Sequence, residues 1–323
     1  MGSVEQFGCG FFENTTTDHC QHGEQSRSRD EQEFNAKIHF ERRGGMNNPD
    51  VFGHYKTNAA DVYFTYPVKL MLPSHASSSN CQWVYSINYG GGIVSGDSIK
   101  VQIRLKDNCC AMLTTQATTK VYHSEEGQVS LQTLEGVVES GSVLAVLQDP
   151  VTCFANARYR QTQSFDVSED GNLVFMDWLT AGRIARGERW DFTSYSSCNS
   201  VTYNGSHVYR DAISLESTPL SSIRQRMGQN TVIASCVMLG RKFSDVGKNV
   251  LAKYGGMQDY GVKSNENITV AVSPIETTVD GKEVPGVVVK FASTSVSLVY
   301  SKAEEILSPL FPMLGGNPFQ DKH

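Results

Sequence analysis

The chain has 323 residues, of which 39% are hydrophobic, 10% aromatic and 19% charged. That balance excludes a disordered chain and allows one large core or two smaller ones. A net charge of −6 and a pI near 5.8 argue against nucleic acid as a partner, because its phosphates need a basic surface.

Residues 1–33 are polar and turn-rich, and they predict a disordered extension. They lack the apolar centre of a secretory signal, and no run reaches the ~18 apolar residues of a membrane span. A cytoplasmic protein with no membrane partner is expected. His19, Cys20 and His22 form a short cluster of soft-metal donors within this segment. Residues 34–323 show no linker and no repeat of fixed period, so they predict a single domain.

From Phe34 the pattern is β. In "SIKVQIRLK" the residues Ile99, Val101, Ile103 and Leu105 alternate with Ser98, Lys100, Gln102, Arg104 and Lys106. A period of two predicts a strand with one wet face. Further strands are predicted over 110–116, 128–134, 142–148, 158–167, 173–179, 231–239, 268–275, 286–293 and 294–300. Short helices are predicted over 218–228, 244–256 and 301–314. Thr218 before Pro219 caps the first, Gly255 stops the second, and Ser301 with Glu304 makes a capping box for the third. The expectation is a mainly β fold, a large antiparallel β body with two or three short helices in the C-terminal half.

The motifs exclude several chemistries. "GGGIVSGDS" (90–98) lacks the Lys-Ser/Thr of a phosphate loop, and Asp97 would repel phosphate. A strand follows it, where a dinucleotide site needs a helix. It reads as a tight glycine turn. Eight cysteines occur without a CxxC pair, which predicts buried thiols rather than a metal cage. Cys109 and Cys110 are neighbours on a strand, so they face opposite ways and cannot share an ion. In "DWLTAGRIARGERWDF" (177–192), Asp177 and Glu188 could form the acid/base pair of a β-rich hydrolase. They could equally balance Arg183, Arg186 and Arg189.

Four stretches in order carry a resemblance: "GGGIVSGDSI" (90–99), "LTTQATTKVY" (113–122), "LQDPVTCFANARYRQ" (147–161) and "DWLTAGRIARGERWDF" (177–192). Together they resemble the urease accessory protein family UreD, also called UreH. The resemblance implies a non-enzymatic scaffold with a mostly antiparallel β body. It implies partners as well: apo-urease, a UreF-type protein and the nickel-carrying GTPase UreG. It further implies nickel in transit through an internal tunnel, with no permanently bound cofactor.

A conduit needs weak oxygen donors in series, since Ni(II) ranks high in the affinity order and a tight site would trap it. Asp97, Asp149, Asp177 and Glu188 are the candidates for that path. Gly91, Gly92, Gly96, Thr114, Thr115, Lys120, Tyr122, Arg183 and Trp190 are expected to serve architecture or an interface. The hydrolase using Asp177 and Glu188 is the alternative.

Overall fold

The structure is a computed structural model that describes residues 34–43, 56–74, 79–256, 267–320 and 322. The predicted disordered extension and its His19, Cys20 and His22 lie outside the described residues.

The chain starts with β1 (Ala36–Arg43), β2 (Lys56–Phe64), β3 (Val68–Met71) and β4 (Gln82–Asn88). It then alternates between two sheets. β5 (Ser98–Leu105) enters the first, and β6 (Cys110–Thr114) and β7 (Thr119–Val121) enter the second. β8 (Ser130–Val138) returns to the first, and β9 (Val143–Val146) and β10 (Val151–Cys153) go to the second. β11 (Arg158–Val167) and β12 (Asn172–Thr180) repeat the move, and β13 (Ser194–Tyr203) and β14 (Ser206–Glu216) finish the first sheet. After α1 (Ile223–Met227) come β15 (Val232–Leu239), α2 (Ser244–Tyr254) and β16 (Ile268–Pro274). A small ribbon of β17 (Thr278–Val279) and β18 (Lys282–Glu283) precedes β19 (Gly286–Ser293), α3 (Val296–Leu307) and α4 (Phe311–Leu314).

The mainly β expectation holds, as does the placing of helices toward the C-terminal half. The antiparallel expectation needs correction. In the first sheet β1, β5, β8, β11 and β13 all pair in parallel, and only the outer pairs β1–β2 and β13–β14 are antiparallel. In the second sheet β4, β6, β9 and β12 pair in parallel. The cause is the alternation itself. Each visit to the opposite sheet brings the chain back to the end where it started, so the next strand runs the same way. A direct hairpin would have reversed it. The coils begin at residues 98, 130, 158 and 194, unequal steps that leave no fixed period in the sequence.

Two apolar layers result. Ile99, Val101, Ile103 and Leu105 point into the core between the sheets with Phe165, Phe175 and Tyr195. Met112, Met176, Trp178, Val289 and Phe291 cover the outer face of the second sheet, under α2 and α3. Cys109 lies in the first layer and Cys110 in the second, so the opposed facing of these neighbours is borne out.

The strand predicted over 294–300 is instead, from Val296 on, the start of α3. Val299, Tyr300, Ala303, Ile306 and Leu307 are all buried, and their spacing makes one helical stripe against the sheet. Seven residues were too few to separate a period of 2 from 3.6. Ser301 and Glu304 therefore lie inside the helix. α1 is capped by Ser222, whose hydroxyl accepts from the Gln225 N–H at 3.2 Å while Gln225 Oε1 accepts from the Ser222 N–H at 2.8 Å.

Candidate functional site

The second sheet has a break. β12 pairs with β9 as far as Phe175 and resumes with β10 at Leu179. Between those ladders Leu147–Pro150 leave the sheet. At the same level β6 stops at Thr114 and β7 resumes at Thr119. Pro150 cannot donate to a ladder, which suits it to such a gap. Side chains take the freed carbonyls: Trp178 Nε1 donates to Gln148 at 2.8 Å, and Thr114 Oγ1 to Leu147 at 2.8 Å.

Asp149 stands in this gap and is 4% exposed. Its Oδ2 accepts from Thr115 Oγ1 at 2.8 Å and from Lys322 Nζ at 3.0 Å. Its Oδ1 accepts from the Tyr300 hydroxyl at 2.6 Å. Its own N–H donates to Thr115 Oγ1 at 2.8 Å. A buried carboxylate is tolerated when it is bonded in this way. Burial pushes the Tyr300 hydroxyl pKa up, and the nearby Asp149 charge pushes it further.

Asp177 lies on the inner face of β12 and is also buried. It accepts from Gln161 Nε2 at 2.8 Å, Ser197 Oγ at 2.7 Å and Asn199 Nδ2 at 2.7 Å. Strand register explains the grouping. Gln132, Gln161 and Ser197 stand side by side on β8, β11 and β13, and Gln163 stands beside Asn199 in the next row. All five point inward, into an otherwise apolar core. Tyr159 donates to Gln132 Oε1 at 2.7 Å, and Gln163 donates to Asn199 at 3.0 Å. Burial raises the Tyr159 and Tyr195 hydroxyl pKa values, so this interior keeps them neutral.

Small cavities follow this polar row. One of about 20 Å³, enough for a water, is lined by Thr119, Gln148, Asp149, Gln161, Gln163 and Asp177 among others. A second of about 200 Å³ shares Asp177 and reaches Asp211 and Lys290. A third of about 210 Å³ shares Thr119 and is lined by Gly91, Gly92, Thr115 and Lys120. The three are thus linked by common walls. A larger concavity, about 790 Å³, lies elsewhere, between α2 and the β17–β18 ribbon, and holds none of the predicted residues. No group of three or more His, Cys, Asp or Glu able to hold a metal exists among the described residues. The row therefore offers carboxylate, amide and hydroxyl oxygens one after another.

The other predicted residues fall outside the row. Asp97 locks its own turn: its Oδ2 accepts from the Val94 N–H at 3.0 Å. Glu188 is bound by Arg183, whose Nε donates to Oε2 at 2.8 Å, and by the Ala155 N–H at 3.3 Å. The hydrogen bond from Arg183 holds the Glu188 carboxyl below its ordinary range. Among the described residues Asp177 and Glu188 share no hydrogen-bond partner, and the cavities that Asp177 lines do not include Glu188, so the structure does not bring them together as a pair. Arg183 also lies over the Phe154 ring at 3.8 Å. Phe154 in turn meets Tyr122 edge-on at 5.2 Å.

Two motifs clasp each other directly. The Ile93 N–H donates to the Lys120 carbonyl at 2.8 Å, and the Tyr122 N–H to the Ile93 carbonyl at 2.9 Å. Gly91 and Gly96 take positive φ, while Gly92 lets Lys120 and Tyr122 approach its backbone. Trp190 is 2% exposed and donates to the Asn230 carbonyl at 2.9 Å, which ties it into the core. Thr115, expected to serve architecture or an interface, is bonded to both the carboxylate and the N–H of Asp149. Gln161, Gln163, Ser197, Asn199, Tyr300 and Lys322 went unpredicted. The signal for the glutamines was present, since Tyr159, Gln161, Gln163 and Phe165 share one parity on one strand.

Comparison with known proteins fits this order of motifs. A family model described as UreD urease accessory protein matches residues 35–322. The chain belongs to the UreD urease accessory protein family. It is 38% identical over 280 residues to urease accessory protein D of Arabidopsis thaliana, covering 82% of this chain and 95% of that one. It is 36% identical over 274 residues to urease accessory protein D of Oryza sativa subsp. indica, covering 79% and 88%. It is 32% identical over 253 residues to UreD of Anaeromyxobacter sp. (strain Fw109-5), covering 78% and 80%. The four motifs of this UreD-family chain build the sheet break, its clasp and the ion pair beside it. No helix among the described residues is long and apolar enough to cross a membrane.

Proposed function

We propose that this chain is a urease maturation factor that bridges apo-urease to UreF-type and UreG-type proteins and helps to deliver nickel. Family membership supports the maturation role. One observation carries the nickel reading: the buried row from Asp149 through Gln161 to Asp177, with cavities that share walls along it. Two carboxylates separated by amide and hydroxyl oxygens can hand on a divalent ion without trapping it. Asp149 and Asp177 are the waypoints in this reading. Asp97 and Glu188 drop out, because neither lines any of the cavities along this row. The chain itself turns over no substrate and acts in the cytoplasm with its partners.

The test is reconstitution. Apo-urease, UreF-type and UreG-type proteins are combined with nickel, with and without this chain, and bound nickel and urease activity are measured. Activity should depend on the chain and fall at least tenfold with Asp177→Asn while the complex still assembles. Full activity with that variant would leave a scaffold without a conduit.

A further inference from the structure

Lys322 reaches the sheet break from a segment 173 positions away from Asp149 in sequence. Its Nζ donates to Asp149 Oδ2 at 3.0 Å, to the Thr115 carbonyl at 3.0 Å and to Thr114 Oγ1 at 3.2 Å. An ammonium has three N–H donors, and all three are matched. The Lys322 side chain is 15% exposed and that of Asp149 only 2%. Thr115 lines the cavity beside the glycine turn, and Asp149 lines the next one inward. The ammonium therefore holds one wall residue of each cavity.

The three oxygens that hold Lys322 are also a seat for a metal cation, because a carboxylate, a carbonyl and a hydroxyl all coordinate hard or borderline divalent ions. The seat cannot hold both. Two positive charges a few ångströms apart inside a protein repel strongly.

We propose that Lys322 is a built-in plug: a tethered cation that occupies the Asp149 seat and must leave before a metal ion can enter. The proposal rests on the reading of Asp149 as a waypoint. Tethering makes the competition intramolecular, so the lysine acts at an effective concentration of order millimolar. A seat filled by lysine nine-tenths of the time weakens apparent metal affinity about tenfold. Binding of a partner that draws Lys322 away would open the path, and the conduit would then be closed whenever the chain is alone.

The probe is Ni(II) alone, in equilibrium dialysis against the purified full chain. Nickel bound at this seat is the part removed by Asp149→Asn. Lys322→Gln should tighten that part about tenfold, and adding Asp149→Asn to it should abolish the gain. Affinity unchanged by Lys322→Gln, with Asp149→Asn still weakening it, overturns the plug and keeps the waypoint. Binding that ignores Asp149→Asn in both backgrounds overturns the waypoint and the plug with it.

Lysine acetylation of the unmodified chain, read by mass spectrometry, gives a second measurement that needs no variant. Lys322 should react at least ten times more slowly than exposed Lys248, and Ni(II) should remove the protection. Equal rates without nickel would overturn the proposal.

Discussion

Asp177 on β12 and Asn199 on β13 meet across the space between the two sheets, with Asn199 Nδ2 donating to Asp177 Oδ2 at 2.7 Å. This bond joins a strand of one sheet to a strand of the other in the middle of an apolar core. Ser197 donates to the same oxygen, and Gln161 to the other one. Every donor here is neutral, so the carboxylate is held without a cation of its own. That is what a waypoint for a passing cation requires, and it makes the row costly to disturb.

Asp177→Asn turns one acceptor oxygen into an NH₂ donor that must face Ser197, Asn199 or Gln161. A buried polar group without its partner costs about 1–3 kcal/mol. The variant should lose that much stability in urea unfolding, while Asp211→Asn, nearer the edge of the sheet, should lose less. An Asp177→Asn chain as stable as the parent would show that these hydrogen bonds carry no net stability.

Gly92 and Gly90 separate two ways in which a glycine can be needed. Gly92 has an ordinary extended backbone, but a Cβ there would lie 2.7 Å from the Lys120 carbonyl oxygen and 2.7 Å from Tyr122. Gly90 has open space around it and a φ of +76°. Gly92→Ala should cost about 1–3 kcal/mol through overpacking. Gly90→Ala should cost about 1–2 kcal/mol through backbone strain. The first should disturb Tyr122 more, because its Cβ would meet the ring itself, whereas Gly90 touches Tyr122 only by accepting a hydrogen bond from its hydroxyl at 3.1 Å; near-ultraviolet circular dichroism would register the difference. Equal spectra for the two variants would sink the distinction.

Glu305 ties α3 to α2. Hydrogen bonds from Lys253, Lys302 and Tyr254 pull its carboxyl down from 4.5 to about 2. A depressed carboxylate adds stability above its ordinary value and loses it as the pH falls through the folded value. The contribution is therefore present above about pH 4.5 and gone near pH 2. The side chain is 40% exposed, so solvent screens the pair and the effect is small. Glu305→Gln should lower Tm slightly above about pH 4.5 and leave it unchanged near pH 2, which flattens the fall between those limits. Parallel Tm curves for parent and variant would refute the assignment.

Much of this fold can be read along the chain, and the missing parts have a common cause. The strands over 158–167 and 286–293 match their predicted bounds, because alternation and flanking turns mark them clearly. Strand direction could not be read, because the period of two is the same in parallel and antiparallel pairs. β13 escaped because Ser, Asn and Thr fill its "SYSSCNSVTY" run, and β14 because His, Arg, Asp and Glu break up the apolar residues of "SHVYRDAISLE". The site shows the same limit. Asp149 and Asp177 stand out as acids in motifs, yet their selection over Asp97 and Glu188 depends on partners far away in sequence. Lys322 meets Asp149 across 173 positions. No local pattern encodes such a contact.

Glu188→Gln gives the sharpest contrast with the Asp177 variant. The Glu188 carboxylate is spent on Arg183 and the Ala155 N–H, and Arg183 is spent on Glu188 and the Phe154 ring. Losing the charge frees Arg183 and loosens the segment between β12 and β13. The expected result is a lower Tm with nickel loading of urease unchanged once the complex has formed. Loading measured below the Tm of the variant separates the two effects. A loading defect as deep as that of Asp177→Asn, at equal complex formation, would return Glu188 to the metal path. Turnover by the isolated chain that Glu188→Gln abolishes would instead favour the hydrolase, which the separate partners of Asp177 and Glu188 speak against.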